Sequence, residues 1–252
     1  MAKIIDLSAT VSNQGSLVQK PEISYLKHKE SAEHYAKFYG IKPSDFREGN
    51  YAATEKVTMG THDTTHLDAP WHFWPTSEGN PAKTIDQIPL EWCYGNGVVL
   101  DFHTKKKGEI ITPDEVKKSI QRIGYTLKPF DIVLIRTDTY KYYGEPGYEN
   151  MHPGMSAEAT LWLIRQGIKV MGIDAWGWDR PHDVMIQELK EGKRGEFWKA
   201  HYLGKDYEYC HLERLANLDK IPASFGFKVA AFPIKIEGAS GAWCRAVAIL
   251  DD

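Results

Sequence analysis

The sequence predicts a mixed α/β fold, built as a single domain over residues 1–252. Short runs rich in β-branched residues, typical of strands, recur along the chain, and helices with clear start signals lie between some of them. No internal repeat and no linker rich in Gly, Ser or Pro divides the 252 residues into distinct halves. A helix between two apolar strands implies parallel pairing, so we expect a mixed sheet.

The strand predictions rest on apolar, β-branched runs. They cover residues 3–7, 55–59, 97–102, 131–137, 168–174, 228–236 and 242–250. The last two runs contain Pro233 and several small residues, which suits edge or bulged strands.

Two helices have local start signals. Thr112, Pro113 and Glu115 form a capping box with proline at the first helical position, and we expect that helix to run to about Ile120. Ser156 predicts the start of a second helix, which Gly167 ends.

A third helix is predicted at residues 27–38, inside a polar and aromatic segment at residues 21–50. The segment has weak periodicity, so packing against the domain is not required by its pattern. We expect this segment to serve as a lid or as an arm in a dimer.

Composition excludes several functional classes. A net charge of −3 gives no broad basic surface, so we expect no nucleic-acid partner. No apolar run approaches 18 residues, so we expect no membrane-spanning helix, and the first residues lack the apolar stretch of a signal peptide. Three scattered cysteines (Cys93, Cys210 and Cys244) suit a reducing compartment. We therefore predict a cytoplasmic protein.

The most informative segment is residues 62–72, which hold three histidines and two aspartates. An even spread of the 10 histidines over 252 residues would place fewer than one there. In an extended chain His62, His66 and Asp68 share one face, whereas a helix would turn Asp68 by about 200° from His66. Neighbouring threonines favour the extended form. Two imidazoles and a carboxylate on one face suit a divalent cation such as Zn²⁺ or Mn²⁺.

His72 follows Pro70, which we expect to end the strand, so its side chain need not share the face of the other histidines. A histidine beside a bound cation is a natural general base or proton shuttle, because water on Zn²⁺ ionises near neutral pH and imidazole titrates in the same range. His72 could also be a fourth ligand. The alternative for the whole cluster is three ordinary hydrogen-bonded histidines.

The cluster resembles the His-x-Gly-Thr-His-x-Asp-x-Pro-x-His signature of the cyclase-like metal-dependent hydrolases, a family that includes bacterial kynurenine formamidase and isatin hydrolase. The matching residues are His62, Thr65, His66, Asp68, Pro70 and His72. One position departs, since Thr64 stands where the signature has glycine. The resemblance implies the swivelling β/β/α architecture of that family.

The resemblance also implies site roles. His62, His66 and Asp68 would bind metal, with His72 catalytic, and a distant histidine with a glutamate twelve residues later would complete a site for one or two ions per chain. His201 and Glu213 have that spacing. His211 is the competitor for His201, because residues two apart share a strand face with Glu213.

The implied function is hydrolysis of an amide or formamide C–N bond, with N-formylkynurenine the best substrate prediction. An isatin-type cyclic amide, a lactam or a lactone is the alternative, and the relatives are often homodimers or homotetramers. We expect Trp71 and Trp176 to bind a small aromatic or cyclic amide substrate. A non-haem iron oxygenase, built on two histidines and a carboxylate, and a non-catalytic metal-binding protein are the other classes considered.

Overall fold

Strands and helices alternate through most of the chain. The computed structural model describes residues 2–14, 18 and 20–250. In chain order its strands are β1 (Lys3–Asp6), β2 (Glu22–Leu26), β3 (Thr54–Thr58), β4 (His66–Asp68), β5 (Thr76–Ser77), β6 (Asn80–Pro81), β7 (Tyr94–Asp101), β8 (Ile110–Ile111), β9 (Ile132–Arg136), β10 (Gly154–Met155), β11 (Val170–Ile173), β12 (Cys210–Glu213), β13 (Phe227–Ala230), β14 (Gly241–Trp243) and β15 (Val247–Leu250). Its α-helices are α1 (His28–Tyr39), α2 (Pro70–Phe73), α3 (Pro113–Ile123), α4 (Ala157–Arg165) and α5 (His182–Lys190).

Both helices predicted from caps begin where the caps lie. The Thr112 side chain accepts from the backbone N of Glu115, and the Glu115 carboxylate accepts from the backbone N of Thr112. Ser156 accepts from the backbone N of Ala159 at the start of α4. These bonds satisfy donors that the first helical turn leaves unpaired.

Nine strands form one mixed sheet, in the order β1-β15-β13-β7-β9-β11-β12-β4-β14. The four central strands β7, β9, β11 and β12 are parallel, and the flanking pairs are antiparallel. α3 connects β7 to β9, and α4 lies between β9 and β11. The prediction of a mixed α/β fold with parallel pairing across α4 is confirmed.

Alternation along the central strands divides the interior into two cores. The sheet core takes residues from all nine strands, such as Leu67, Leu134 and Leu212, and lies on one face. The helix core lies on the other face, where Val133 and Ile135 of β9 pack with apolar residues of α3 and α4. Central strands are therefore apolar on both sides, as expected for parallel strands covered by helices.

The sheet curls so that its two ends come close together. β14 lies at one edge, yet only residues 244–246 connect it to β15 beside the other edge. Such a short connection spans only about 14 Å. In addition, the backbone N of Ala216, beyond β12, donates to the carbonyl of Leu7, beyond β1. The single-domain prediction for residues 1–252 stays a prediction, but strands from both ends of the chain interleave in this one sheet.

Several predicted elements differ in extent. The run at 242–250 is two strands rather than one, because the chain crosses between sheet edges at residues 244–246. The run at 228–236 ends as a strand at Ala230, before Pro233. β3 pairs with β2 in a separate hairpin, outside the nine-stranded sheet. The helix predicted at residues 27–38 is present as α1.

Gly172 on β11 offers a test of packing in the sheet core. A Cβ added there would lie 2.7 Å from Leu215 Cδ1 and 2.9 Å from Leu212 Cβ. We expect Gly172→Ala to lower the free energy of unfolding by about 1–3 kcal/mol, since overpacking forces neighbours to shift. Gly195→Ala is the matched control, because no described atom lies within 4 Å of its Cβ position. Equal urea unfolding midpoints for the two variants would contradict this prediction.

Candidate metal centre

Four titratable side chains face one another across the antiparallel pair β4–β12. His66 lies opposite Glu213, and Asp68 lies opposite His211. Because side chains alternate along a strand, all four point to one face, while the leucines between them enter the sheet core. The register of this pair therefore assembles the centre of the site.

The loop before β4 differs from the extended segment that the sequence predicts. Residues 61–65 form turns and bends, and β4 begins only at His66. Thr64 has a φ of 55°, in the left-handed region that glycine adopts without steric cost. This backbone requirement explains why the family signature has glycine here. The carbonyl of Thr64 accepts from His66 Nδ1 at 2.9 Å, which leaves His66 Nε2 as the ring atom facing the cluster.

His62 reaches the cluster from this loop rather than from a strand. Its Nδ1 lies 2.6 Å from Asp68 Oδ1, and its Nε2 lies 2.8 Å from Ser240 Oγ. Gly241, opposite Asp68 on β14, makes room for the imidazole, since a Cβ there would lie 2.6 Å from His62 Cε1. The contact with Asp68 was predicted, but strand alternation does not produce it.

His72 lies on α2, which Pro70 begins, and stands beside the other histidines. Its ring stacks on His62 with centroids 4.0 Å apart and contacts Trp198 edge-on at 5.3 Å. Burial, which the charge of Asp68 offsets only in part, lowers the pKa of His72 to about 3. The imidazole is therefore neutral near pH 7, with one ring nitrogen that can accept a hydrogen bond, and burial makes it harder to protonate than the free histidine that the sequence suggests.

His201 begins a 3-10 helix (His201–Lys205) and is held by Asp179. The Asp179 carboxylate accepts from His201 Nδ1 at 2.6 Å and from the backbone N of both Ala200 and His201. Burial opposes protonation of His201, but the bond to Asp179 outweighs it and raises the pKa. Trp198 stacks on the ring with centroids 4.3 Å apart. The ring is thus fixed with Nε2 toward the cluster.

The structure brings all five predicted metal ligands together. The nearest atoms are 2.6 Å apart for His62 and Asp68, 3.2 Å for His66 and Asp68, 4.0 Å for His201 and Asp68, and 3.6 Å for His201 and Glu213. His66 and Glu213 form a fifth pair at 3.8 Å, and Asp68 is common to three of the five. It occupies the central position that a bridging carboxylate needs.

Within the described residues, the atoms able to bind a metal form two groups that share Asp68. One group is Asp68, His201, His211 and Glu213, whose ligand atoms lie within 4.8 Å of one another. The other group is His62, Asp68 and His72. This arrangement can hold more than one cation.

Two further observations fit a cation at this position. Among the described residues His66 Nε2 and Asp68 Oδ2 are buried and have no hydrogen-bond partner, although buried polar atoms nearly always have one. Burial raises the pKa of Glu213, and the negative charge of Asp68 raises it further. For Asp68, burial is outweighed by the histidines around it, which hold its pKa well below the usual range. A divalent cation would let both carboxylates ionise. It would also give a partner to His66 Nε2 and Asp68 Oδ2.

His211 remains the alternative to His201 as the distal metal ligand. It is fully buried between Phe73, Trp178 and Tyr209, with ring centroids 4.8 Å away in each case. Burial lowers its pKa well below the usual value, and among the described residues neither ring nitrogen has a hydrogen-bond partner. Both histidines belong to the same group of ligand atoms, so the choice of His201 stays a prediction.

A cavity of about 340 Å³ opens onto the cluster. Its walls include three tryptophans: Trp176, Trp178 and Trp198. Trp71 is not among the described residues that line it, and its side chain is 47% exposed. Since α2 already begins at Pro70, Trp71 and His72 are successive helical residues that diverge by about 100°. Trp71 therefore lies off this cavity and its contact with substrate stays a prediction, whereas Trp176 is on the cavity wall.

Two residues near the cluster, Trp198 and Arg214, received no role from the sequence, and a third, Asp179, was not predicted to hold His201. Asp179 and Trp198 hold His201, and Arg214 lines the cavity. They contact the site through tertiary packing, which the sequence does not show. Only Arg214 could have been suspected, because it directly follows Glu213 in the sequence.

Known proteins share this fold and are similar in sequence over most of the chain. Isatin hydrolase of Roseibium aggregatum is 27% identical over 213 residues, covering 81% of this chain and 77% of the relative. Kynurenine formamidase of Bacillus thuringiensis is 25% identical over 192 residues, covering 76% and 78%. The solved structure of isatin hydrolase A from Labrenzia aggregata matches with a TM-score of 0.76 and 23% identity, over 100% of this chain and 94% of that one. The predicted cyclase-like architecture is confirmed.

The family described as "Putative cyclase" matches residues 5–180. The match covers more than half of the chain and includes the whole histidine cluster at residues 62–72. The fold match extends over the remaining strands. The chain therefore belongs to the cyclase family, as its signature predicts.

Proposed function

We propose that this protein is a metal-dependent hydrolase that cleaves an amide or formamide C–N bond in a small aromatic molecule. The substrate we propose is N-formylkynurenine, and an isatin-type cyclic amide is the alternative. The observation that carries the proposal is the convergence of histidine and carboxylate ligand atoms on Asp68, beside a cavity. The similarity to kynurenine formamidase and isatin hydrolase supports the reaction class.

The donor set favours Zn²⁺ or Mn²⁺, because imidazole and carboxylate ligands suit both. His62, His66 and Asp68 would hold one ion, and Asp68, His201 and Glu213 would hold a second. When bound, such a cation lowers the pKa of water and polarises a carbonyl oxygen.

His72 is the residue we assign to proton transfer. It is neutral, stacks on His62 and lies outside the five proposed ligands. In the hydrolysis, water adds to the carbonyl carbon, and His72 accepts a proton from it. The C–N bond then breaks, and the nitrogen leaves as an amine with the proton that His72 returns. The products are a carboxylic acid and an amine.

Trp176 is the proposed aromatic wall for substrate. It lines the cavity, and Tyr148 packs edge-on against its ring with centroids 6.0 Å apart, which fixes the ring plane. A flat aromatic substrate can pack on such a surface. A cavity of about 340 Å³ suits a small molecule.

We also propose a homodimer or homotetramer, in which the segment containing β2, α1 and β3 takes part. Its surface carries exposed apolar side chains, including Phe38, 75% exposed, with Tyr25, Tyr39 and Val57. In the described chain no helix is long and apolar enough to span a membrane. Our proposal of a cytoplasmic location rests on the thiols of Cys93, Cys210 and Cys244, which are free and buried.

Metal content tests the proposed ligands. We expect wild-type protein loaded with Zn²⁺ or Mn²⁺ and then dialysed to keep two equivalents per chain. Asp68→Asn should keep none, because it removes the shared carboxylate, and Glu213→Ala should keep one. Asp114→Asn is the control, since its side chain is 81% exposed on α3. Elemental analysis showing equal metal in Asp68→Asn and wild type would contradict the site.

Turnover of N-formylkynurenine and isatin by metal-loaded protein tests the reaction. We expect the formamide to be cleaved faster, and His72→Ala to lower kcat by about 10²–10⁴-fold while metal is retained, since general-base catalysis is lost. His103→Ala is the control, because His103 lies on the surface against Asp101. Failure to cleave either substrate would refute the proposed substrates, and full activity of His72→Ala would refute its role.

A further inference from the structure

A buried histidine outside the metal cluster lies on the wall of the cavity. His152 is only 1% exposed, yet it is among the residues that line this cavity. Neither group of possible metal ligands among the described residues includes it. The charged groups with the largest effect on its pKa are His182 and Asp183, both on α5. His152 therefore faces the cavity without a part in metal binding or in the proposed proton transfer.

A backbone carbonyl fixes the tautomer of the His152 ring. Its Nδ1 lies 2.8 Å from the carbonyl oxygen of Pro153, which can only accept a hydrogen bond, so Nδ1 carries the proton. Burial lowers the pKa of His152 to about 4, and hydrogen bonding to the backbone of Pro153 and Glu149 opposes this only in part. The ring is thus neutral near pH 7, and Nε2 is left as an unprotonated acceptor.

This acceptor lacks a donor. Among the described residues His152 Nε2 is buried and has no hydrogen-bond partner. Buried polar atoms in native proteins nearly always have one, and leaving one unpaired is costly. Because His152 lines the cavity, a molecule that enters the cavity can supply the donor that the protein does not.

The surrounding backbone holds the ring in place. The His152 carbonyl accepts from the backbone N of Gly108 at 2.9 Å, next to the pairing of β10 with β8. A Cβ added at Gly154 would overlap the backbone N of Arg180, so this segment packs directly on residues 176–180 of the cavity wall. An acceptor fixed on such a support can select a ligand by the position of its donor.

We propose that His152 binds an N–H or O–H donor on the substrate, so that the site selects aromatic amides or formamides carrying an amino or hydroxyl group. This inference rests on the proposed hydrolase function and names its substrate class. The scissile carbonyl would face the cluster around Asp68, so the donor would be a group other than the amide that is cleaved. A substrate without a donor would leave Nε2 unpaired, which makes such a contact selective.

Two substitutions separate the acceptor from the rest of the side chain. His152→Asn can place an amide N–H where Nδ1 lies and keep the bond to Pro153, but it has no atom at the position of Nε2. His152→Gln is longer and can place an amide oxygen near that position. His182→Asn is the matched control, because His182 lines the same cavity but is exposed to solvent.

The experiment compares formanilides that carry an amino or hydroxyl group at the ortho, meta or para position with their dimethylamino and methoxy counterparts, which lack the donor. For metal-loaded wild type we expect kcat/KM at one ring position to favour the donor probe over its counterpart and over unsubstituted formanilide. His152→Asn should lower kcat/KM for that probe by roughly 3- to 10-fold, the size of one neutral hydrogen bond, and should change unsubstituted formanilide by less than about twofold.

The two remaining variants test whether the acceptor itself is responsible. His152→Gln should restore part of the preference for the donor probe, and His182→Asn should keep it. Absence of the preference in wild type, or an equal preference in His152→Asn, would overturn the proposal. Thermal unfolding of each variant shows that the comparison is made on folded protein.

Nuclear magnetic resonance separates this inference from the proposed reaction. The protein is Zn²⁺-loaded His72→Ala with ¹⁵N-labelled histidine, in which turnover is slow, and the Nε2 resonance of His152 is assigned by its absence from His152→Asn. We expect a donor probe to move this resonance upfield, as acceptance of a hydrogen bond does, and the counterpart without the donor to leave it in place. If no formanilide is cleaved but the shift is seen, the donor site stands and the proposed function fails. If no donor probe at saturation moves the resonance, the donor site is refuted.

Discussion

The pairing of β4 with β12 places two acidic side chains inside the protein, where an isolated negative charge is costly. Asp68 and Glu213 lie on the same face of this pair. Asp68 is opposite His211, and His211 is two residues from Glu213, so their side chains share a face. A slip of one residue would turn both carboxylates into the apolar sheet core and the leucines toward the cavity. The register that satisfies the core is therefore the register that builds the candidate metal centre.

The histidines around this pair are held by contacts that do not involve a metal. Ser240 and Gly241 fix His62 from the neighbouring strand, and Asp179 fixes His201 through its ring and its backbone. A ring held by a second hydrogen bond presents its other nitrogen in a defined direction. The candidate ligands are thus held in place without a cation, and a bound cation would remove the repulsion between the carboxylates without large rearrangement.

Local signals in the sequence were sufficient for the capped helices, the apolar central strands and the convergence of His62 and His66 on Asp68. His201 and Glu213 were predicted only through the family resemblance. They were insufficient wherever tertiary pairing decides the structure. β12 reads Cys-His-Leu-Glu, which has no β-branched run, and it is a strand because β4 and β11 flank it. His62 meets Asp68 through a turn in which Thr64 has a positive φ, so the predicted neighbours are correct but the predicted extended chain is wrong. Trp71 lies off the cavity that His72 lines because Pro70 begins a helix at once, and one residue then turns the side chain away.

The change of backbone direction after Glu213 links the two ends of the cavity. Simple alternation would send Arg214 into the sheet core, where an unpaired guanidinium would be strongly unfavourable. The left-handed conformation instead places it against Trp176, on the wall of the cavity that Glu213 also lines. An acidic group that can bind a cation and a buried basic group on the cavity wall are therefore consecutive residues. The positions of these two charges relative to each other are consequently set by the backbone itself, which is more rigid than a contact between two flexible side chains.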